Sequence, residues 1–120
     1  MKKQFRVKTH EEFQHVVHSG LVEKNKFFVV YYVKEINFSY PRVGISAPVK
    51  LGNAVIRSTV RRQIRGMLRE MWKELLPMDY VIIARKSYDL HQYEKNKNEL
   101  EMILTRIRRK MDGKKSQDSI

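Results

Sequence analysis

The segment LGNAVIRSTVRRQIRGMLREMW, Leu51 to Trp72, constrains the fold most, because it is typical of one long helix with two distinct faces. At about 100° per residue, apolar side chains gather on one arc and basic side chains on the adjacent arc. The apolar arc holds Ile56, Val60, Ile64, Met67, Leu68, Met71 and Leu75. The basic arc holds Arg61, Arg62, Arg65, Arg69 and Lys73. Such a helix buries one face against a core and presents the other face outward.

Positive charge dominates this segment. Lys50 through Arg69 contains six basic residues and no acidic one. Arg57, Arg61, Arg65 and Arg69 follow one another at intervals of four, and each such pair of like charges on a helix costs a few tenths of a kcal/mol. The formal net charge of +12 over 120 residues also opposes compact folding. A polyanionic partner offsets both costs, and the arginine fork is suited to phosphate. Nucleic-acid binding is therefore favoured over a merely solvated basic face.

Helix and strand signals alternate before this segment. THEEFQHVVHSG predicts a short helix with Thr9 as its N-cap, Glu12 as the capping-box partner and Gly20 at its end. Lys26 to Ile36 is β-branched and aromatic, which predicts a strand. Arg42 to Ser46 is predicted to pair beside it as the neighbouring strand.

The basic helix is predicted from Asn53, a good N-cap, to Leu75, and Pro77 stops it. DYVIIARK then predicts a short buried strand. HQYEKNKNELEMILTRIRRKM has a helical apolar stripe and predicts a second long helix, which Gly113 ends. KKSQDSI follows as a frayed tail.

The order of elements is α, β, β, α, β, α, with room for one more strand in Lys26–Ser46. It predicts an α+β fold, a compact α/β sandwich in which three helices pack on a small sheet. We predict one domain over residues 1–112 and a disordered tail over residues 113–120.

Composition excludes several classes of protein. The chain has no cysteine, so it has neither disulfides nor thiolate chemistry. No apolar run approaches about 18 residues, so no membrane association is expected. The basic N-terminus is not followed by the apolar core of a signal peptide. We expect a cytoplasmic protein.

No catalytic constellation is readable. Glu11 and Glu12 are the only adjacent carboxylates, and no acidic cluster suggests a two-metal nuclease site. His15 and His18 are spaced as a possible metal pair on a helix, with His10 nearby, but a surface position is favoured because no convincing further ligand accompanies them. No metal site is predicted in the protein itself.

Two features leave alternatives open. Phe13 and Tyr31 are either a stacking platform for unpaired bases or ordinary core residues. Strand alternation puts Tyr31 on one sheet face with Phe27, Val29 and Val33, and both faces are apolar. Gly66, inside the basic helix, permits close approach either of an RNA backbone or of another helix.

Five motifs occur in the order and spacing of a known family: MKKQFRVKTHEEFQHVV followed by a glycine, NKFFVVYYV, RVGIS, KLGNAVIRSTVRRQIR and DYVIIAR. The match in order and spacing covers nearly the whole chain, from about Lys2 to Arg109. The most specific is GNAV-x-R leading into an arginine-rich helix. The sequence resembles the protein subunit of bacterial ribonuclease P.

This resemblance implies a mostly antiparallel sheet with a left-handed β-α-β crossover, as in some ribosomal proteins, whereas spacing alone predicts the common right-handed connection. It implies an endoribonuclease, a ribonucleoprotein in which the RNA subunit carries the catalytic site and most of the Mg²⁺. The protein is expected to be a monomer bound 1:1 to this RNA, and to bind the 5′ leader of precursor tRNA during tRNA processing.

The resemblance also implies an RNA-binding set. Arg57 matches the first arginine of the family's Arg-Asn-Arg motif, while Ser58 and Thr59 replace its Asn and second Arg. The later basic positions of the motif match Arg61, Arg62 and Arg65. The predicted RNA-binding residues are Lys50, Asn53, Arg57, Arg61, Arg62, Arg65 and Arg69, with Lys73 as a further candidate.

A second set is implied for the leader. Phe13 on the first helix and Tyr31 on the first strand match aromatic positions of the family's central cleft. Val17 stands where a second aromatic residue is usual. Val49-Lys50 replaces a lysine pair that often precedes GNAV.

Three other functions remain open on sequence grounds. A general RNA- or ribosome-binding protein of the same fold would bind unrelated structured RNAs equally well. A DNA-binding protein would set the basic helix into a major groove, but Gln63, its central amide side chain, falls off the basic arc. A self-sufficient nuclease would cleave RNA without an RNA subunit, and no residue pattern supports that reading.

Overall fold

The structure is a computed structural model that describes residues 2–34 and 39–118, with side chains through residue 113. The helices are α1 (His10–Ser19), α2 (Ala54–Met71) and α3 (Tyr93–Asp118). The strands are β1 (Leu21–Lys24), β2 (Phe28–Lys34), β3 (Arg42–Ser46) and β4 (Met78–Ala84). Short 3-10 turns lie at Lys3–Phe5, Val49–Leu51 and Trp72–Glu74. The predicted α+β class, three helices on a small sheet, is confirmed.

The four strands form one sheet in the order β1-β2-β4-β3. β1 and β4 pair antiparallel with β2, whereas β3 pairs parallel with β4. The prediction that Arg42–Ser46 lies beside the preceding strand is therefore wrong, because β4 lies between them. β4 is almost wholly buried along both faces, and such a strand requires a neighbour on each side to satisfy its backbone polar groups.

The additional strand precedes β2 instead of being split from Lys26–Ser46. The Asn25 side-chain oxygen accepts hydrogen bonds from the backbone amides of Phe27 (3.0 Å) and Phe28 (2.9 Å), which makes the turn between β1 and β2. β2 consequently begins at Phe28, two residues later than predicted. Its predicted end at Ile36 lies outside the described residues.

The two faces of the sheet have different coverings. The core between the sheet and helices α2 and α3 contains Phe28, Val30 and Tyr32 from β2 together with Ile64, Leu68, Leu100, Ile103 and Ile107 from the helices. α1 covers the opposite face, where Val16 and Val81 are fully buried. Helix α2 connects the parallel strands β3 and β4, which is the predicted β-α-β crossover; its handedness remains a prediction.

The ends of the outer helices show where local signals succeed and fail. The predicted capping box of α1 is confirmed, since Thr9 and Glu12 each cap the other's backbone amide, and α1 ends before Gly20. In α3, however, the helix continues through Gly113 to Asp118, so the predicted tail boundary at residue 113 falls inside the helix. Glycine costs only about 1 kcal/mol in a helix, and the preceding part of α3, which buries Leu100, Ile103 and Ile107, offsets this cost.

A buried ion pair fastens α1 to the sheet. The Arg42 guanidinium on β3 binds both carboxylate oxygens of Asp79 on β4, with Nε–Oδ1 at 2.9 Å and Nη2–Oδ2 at 2.6 Å. Its Nη1 donates to Glu12 Oε2 on α1 at 2.7 Å. The side chain of Asp79 is only 2% exposed, so Arg42 is the group that makes its burial tolerable.

No helix within residues 2–34 and 39–118 is long and apolar enough to cross a lipid bilayer.

Candidate nucleic-acid interface

The entry into α2 is shaped by Gly52 and Asn53. Gly52 has φ +143°, a conformation that side chains rarely adopt, and an added Cβ would lie 2.8 Å from Ile56 Cδ1. Asn53 then caps α2 by accepting a hydrogen bond from the Ile56 amide at 3.0 Å. The exposed Lys50 lies in the preceding 3-10 turn. The predicted RNA-binding residue Asn53 therefore uses its side-chain oxygen to start the helix that carries the arginines.

We expect Gly52→Ala to lower the free energy of unfolding by about 1–3 kcal/mol, the usual cost of a strained backbone conformation. Urea unfolding followed by circular dichroism measures this change. Gly113→Ala is the matched control, because an added Cβ there meets nothing within 4 Å. Because alanine is the better helix former, Gly113→Ala should keep or raise stability. A Gly52→Ala variant as stable as the wild type would contradict the strain at Gly52.

The arginine face, defined as Arg57, Arg61, Arg62, Arg65 and Arg69, extends along α2 as predicted. Arg62 and Arg69 are exposed and the other three are partly exposed. Within the described part of the chain, none of the five forms an ion pair with an acidic residue. Their positive charge is therefore available to a partner.

The electrostatics of Arg65 show this lack of compensation. Burial lowers the pKa of its guanidinium, and repulsion from other guanidinium groups lowers it further. The repelling groups belong to Arg6, Arg61 and Arg62. A bound phosphate would relieve this repulsion.

The acidic residues at the C-terminal end of α2 and in the 3-10 turn after it form ion pairs with α3. Glu70 Oε2 forms an ion pair with Lys97 Nζ at 3.1 Å. Arg108 Nη1 lies 3.5 Å from Glu74 Oε2 and donates to the Glu74 backbone oxygen at 2.8 Å. Both basic partners lie on α3, so among the described residues these carboxylates pair with α3 and not with the arginine face.

Two positions of the family motif carry hydroxyls here. Thr59 Oγ1 donates to the Val55 backbone oxygen at 2.9 Å, an internal bond of the helix. Ser58 is partly exposed. The second arginine of the family motif is thus replaced by a side chain that turns back on its own helix.

The predicted leader residues lie together on the α1 side of the sheet. Tyr31 pairs with Val81, and Val81 pairs with Gly44, so these three positions share one face. The Phe13 ring lies against Gly44, where an added Cβ would be 2.5 Å from Cε2 of the ring. Val17 is one turn further along α1, and it is partly exposed, as are Phe13 and Tyr31. These partly open aromatics fit either a stacking surface or the edge of a core.

Edge strand β3 lies between these two surfaces. Phe13 covers Gly44 on one side of it. Along its outer edge, Arg6 bridges to Val43, and the Val7 amide donates to the Val43 oxygen at 3.2 Å. Because Arg6 is also close enough to repel Arg65, positive charge extends from α2 around this edge. No local sequence pattern indicates a role for Arg6, because its place depends on the β-bridge to Val43.

The remaining candidates have structural explanations. His18 Nε2 lies 2.7 Å from Gln14 Oε1, and His15 Nδ1 lies 3.5 Å from Ser19 Oγ. Over the described ranges, no group of three or more His, Cys, Asp or Glu side chains is arranged to hold a metal ion. An added Cβ at Gly66 would lie 3.3 Å from the Tyr93 hydroxyl, so this glycine lies close to the start of α3.

Comparison with known proteins decides the family. The family model described as Ribonuclease P matches residues 1–108. The chain belongs to the ribonuclease P protein family. A ribonuclease P protein component from Geobacillus kaustophilus is 39% identical over 116 residues, covering 96% of this chain and 93% of that one. One from Geobacillus thermodenitrificans is 40% identical over 105 residues, 87% of each chain. The resemblance predicted from the motifs is confirmed.

Solved structures of the ribonuclease P protein family have the same fold. The Staphylococcus aureus ribonuclease P protein is 33% identical, with a TM-score of 0.76, covering 84% of this chain and 93% of that chain. The Thermotoga maritima protein is 25% identical, also with a TM-score of 0.76, covering 84% and 96%. Membership of this family implies an RNA partner and a role in tRNA processing.

Proposed function

We propose that this chain is the protein component of a bacterial ribonuclease P, acting in removal of the 5′ leader from precursor tRNA in the cytoplasm. It binds the catalytic RNA through the arginine face, as a monomer in a 1:1 complex. The RNA supplies the catalytic site and most of the Mg²⁺. The observation that carries the proposal is the arginine face itself, whose five guanidinium groups have no carboxylate partner among the residues that the structure describes, while nearby Glu70 and Glu74 pair with α3.

The geometry supports separate binding surfaces for the catalytic RNA and for the leader. Arginine binds phosphate through two parallel hydrogen bonds, and the arginine face spans roughly 18 Å from Arg57 to Arg69 at about 1.5 Å per residue. On the other side of β3, Phe13 and Tyr31 offer partly open rings on which unpaired leader bases stack. One edge of the molecule thus contacts the catalytic RNA and the substrate together.

The test is cleavage of a precursor tRNA by a bacterial ribonuclease P RNA at low Mg²⁺, with and without the protein. We expect the protein to restore cleavage, because its cations replace part of the counterion screening that the two RNAs need to associate. We also expect precursor affinity to rise with leader length. Binding without any restored cleavage would instead support the general RNA-binding function.

The leader surface has its own prediction. Phe13→Ala and Tyr31→Ala should each weaken binding of a long-leader precursor by about 1–3 kcal/mol, the range for loss of one base–aromatic stack. Val17→Phe should tighten it, because a ring is added one turn from Phe13. Affinity is measured with the assembled RNA–protein complex.

Leader length supplies the control for that prediction. A precursor without a leader should bind all of these variants with the same affinity. Leu21→Ala is the control variant, because it alters an exposed apolar residue of β1 that pairs with Tyr32 and lies outside this surface, and it should bind the long-leader precursor as the wild type does. A loss of affinity that is independent of leader length would contradict a leader-binding role and point to a core role for the rings.

A second function has one observation in its favour. A similar structure, 34% identical with a TM-score of 0.76, is of a Staphylococcus aureus ribonuclease P protein mutant with defective mRNA degradation activity. Incubating purified wild-type protein with mRNA, without any RNA subunit, tests whether this chain acts on mRNA. No cleavage would leave the RNA subunit as the source of catalysis.

A further inference from the structure

A pocket of about 300 Å³ lies at the C-terminal end of the arginine face, and three of its lining residues, Lys2, Phe5 and Trp72, belong to neither predicted set. It is lined by Lys2, Phe5, Arg65, Arg69 and Trp72. This volume is at the low end for small-molecule sites, a size that suits one planar ring system. We call it the Trp72 pocket.

Its apolar wall is held in place by ring contacts. The centroids of Phe5 and Trp72 are 5.4 Å apart with their planes at 63°, and Phe5 meets Tyr40 edge-on at 5.3 Å. Trp72 also packs against the main core while remaining partly exposed. Because neighbouring rings already fix these side chains, stacking a base on them costs little conformational entropy.

Its rim is cationic. Lys2, Arg65 and Arg69 line it, and no carboxylate of the described residues lines it with them. The pKa of Arg65 is lowered by burial and by its arginine neighbours. Arg65 and Arg69 are four residues apart, and Trp72 follows three residues later, so the pocket continues the row of the arginine face. An apolar slot beside uncompensated cations matches a base attached to phosphates.

We propose that the Trp72 pocket binds an unpaired nucleobase of the RNA that lies along α2, with the flanking phosphates on Arg65 and Arg69. The inference rests on the proposed function in that it assumes RNA on the arginine face. It adds a stacking site at a point where only phosphate contacts were predicted. A base in a duplex is not free to enter, so the ligand is a single-stranded, bulged or flipped-out nucleotide.

Trp72 is the single tryptophan of the chain, so its fluorescence reports on the pocket directly. Titration of the wild-type protein with ribonuclease P RNA should quench this emission and protect it from acrylamide. Adding precursor tRNA afterwards shows whether the base comes from the catalytic RNA or from the substrate. Emission and acrylamide access that stay unchanged, while labelled RNA is seen to bind by anisotropy, would overturn the inference.

Substitution separates stacking from charge. We expect Trp72→Leu to weaken RNA binding about tenfold, within the range of one base–aromatic stack, with the salt dependence unchanged because no phosphate contact is lost. Trp72→Phe keeps an aromatic ring and should retain most of the affinity. If the side chain at this position only had to be apolar, Trp72→Leu would retain the affinity equally well. Equal affinity of Trp72→Leu and the wild type would also overturn the proposal.

A simpler ligand keeps this test independent of the proposed function. A single-stranded oligoadenylate of about eight nucleotides should quench Trp72, whereas a blunt duplex RNA should bind without quenching. If ribonuclease P RNA does not bind but the oligoadenylate quenches, the proposed function fails and the pocket stands. If ribonuclease P RNA binds but neither it nor the oligoadenylate quenches the emission of Trp72, the proposal for the pocket is overturned and the proposed function is unaffected.

Discussion

The double substitution Arg61→Ala with Arg65→Ala is expected to weaken binding of ribonuclease P RNA by about 100-fold. Each guanidinium contributes charge-assisted hydrogen bonds to phosphate worth about 1.5 kcal/mol or more. Removing two phosphate contacts should also reduce the slope of log affinity against log salt by about 1 per contact. Titrations over a series of salt concentrations measure both quantities.

Two comparisons make this result specific. Lys86→Ala with Arg109→Ala removes the same charge from exposed positions outside the arginine face and should change affinity little. Arg61→Lys with Arg65→Lys keeps the charge but loses the planar fork, so it should retain the salt slope and recover only part of the affinity. If the Lys86/Arg109 pair weakens binding as much as the Arg61/Arg65 pair, the arginine face has no special role and net charge alone attracts RNA.

The largest expected loss of stability follows Arg42→Met. This change leaves Asp79 as an uncompensated carboxylate in the sheet, and breaking a buried ion pair in this way costs about 3–5 kcal/mol. It also removes the contact with Glu12 that fastens α1. Urea unfolding at neutral pH is the measurement, and the midpoint should fall substantially.

The double variant Arg42→Met with Asp79→Leu is the informative partner of that experiment. With both charges gone, an apolar pair of similar size can fill the space, so most of the stability should return. A double variant as unstable as Arg42→Met would show that packing of the Arg42 stem, and not the orphaned carboxylate, governs the loss.

Glu12 gives the pH dependence of the same network. Burial pushes the pKa of Glu12 up, but backbone hydrogen bonds at Thr9 and Lys8 and the Arg42 guanidinium outweigh it, so the folded pKa lies below its ordinary value of 4.5. A lowered folded pKa means that ionised Glu12 stabilises the fold above pH 4.5, and this contribution disappears as pH falls through the folded pKa. Part of it comes from Arg42, so the stability difference between the wild type and Arg42→Met should shrink over that acid range.

Local sequence signals sufficed for most elements. The capping box at Thr9 and Glu12, the N-cap at Asn53 and the apolar arc of α2 each involve residues within a few positions of one another, so their energetics are visible in the sequence. The arginine face followed from the same helical periodicity. The family followed from five motifs spread over almost the whole chain.

Pairing between distant segments was not visible in the same way. β3 pairs with β4 and not with β2, the strand that precedes it in the sequence, because β4 is buried on both faces and needs a neighbour on each side. Asn25 stabilises a turn that includes Phe27, and this turn separates β1 from β2. α3 extended past Gly113, since one glycine is a weak stop signal for a helix that is already packed.

The sequence by itself determined that this chain has a helix with one buried and one cationic face, which favours a polyanionic partner, because periodicity and charge are local properties. Only the tertiary structure decided that Glu70 and Glu74 turn to α3, that Phe13 covers Gly44, and that Phe5 meets Trp72 beside Arg65 and Arg69. These arrangements join residues up to about 67 positions apart (Phe5 to Trp72), and only the packing of helices on a sheet brings such residues into contact.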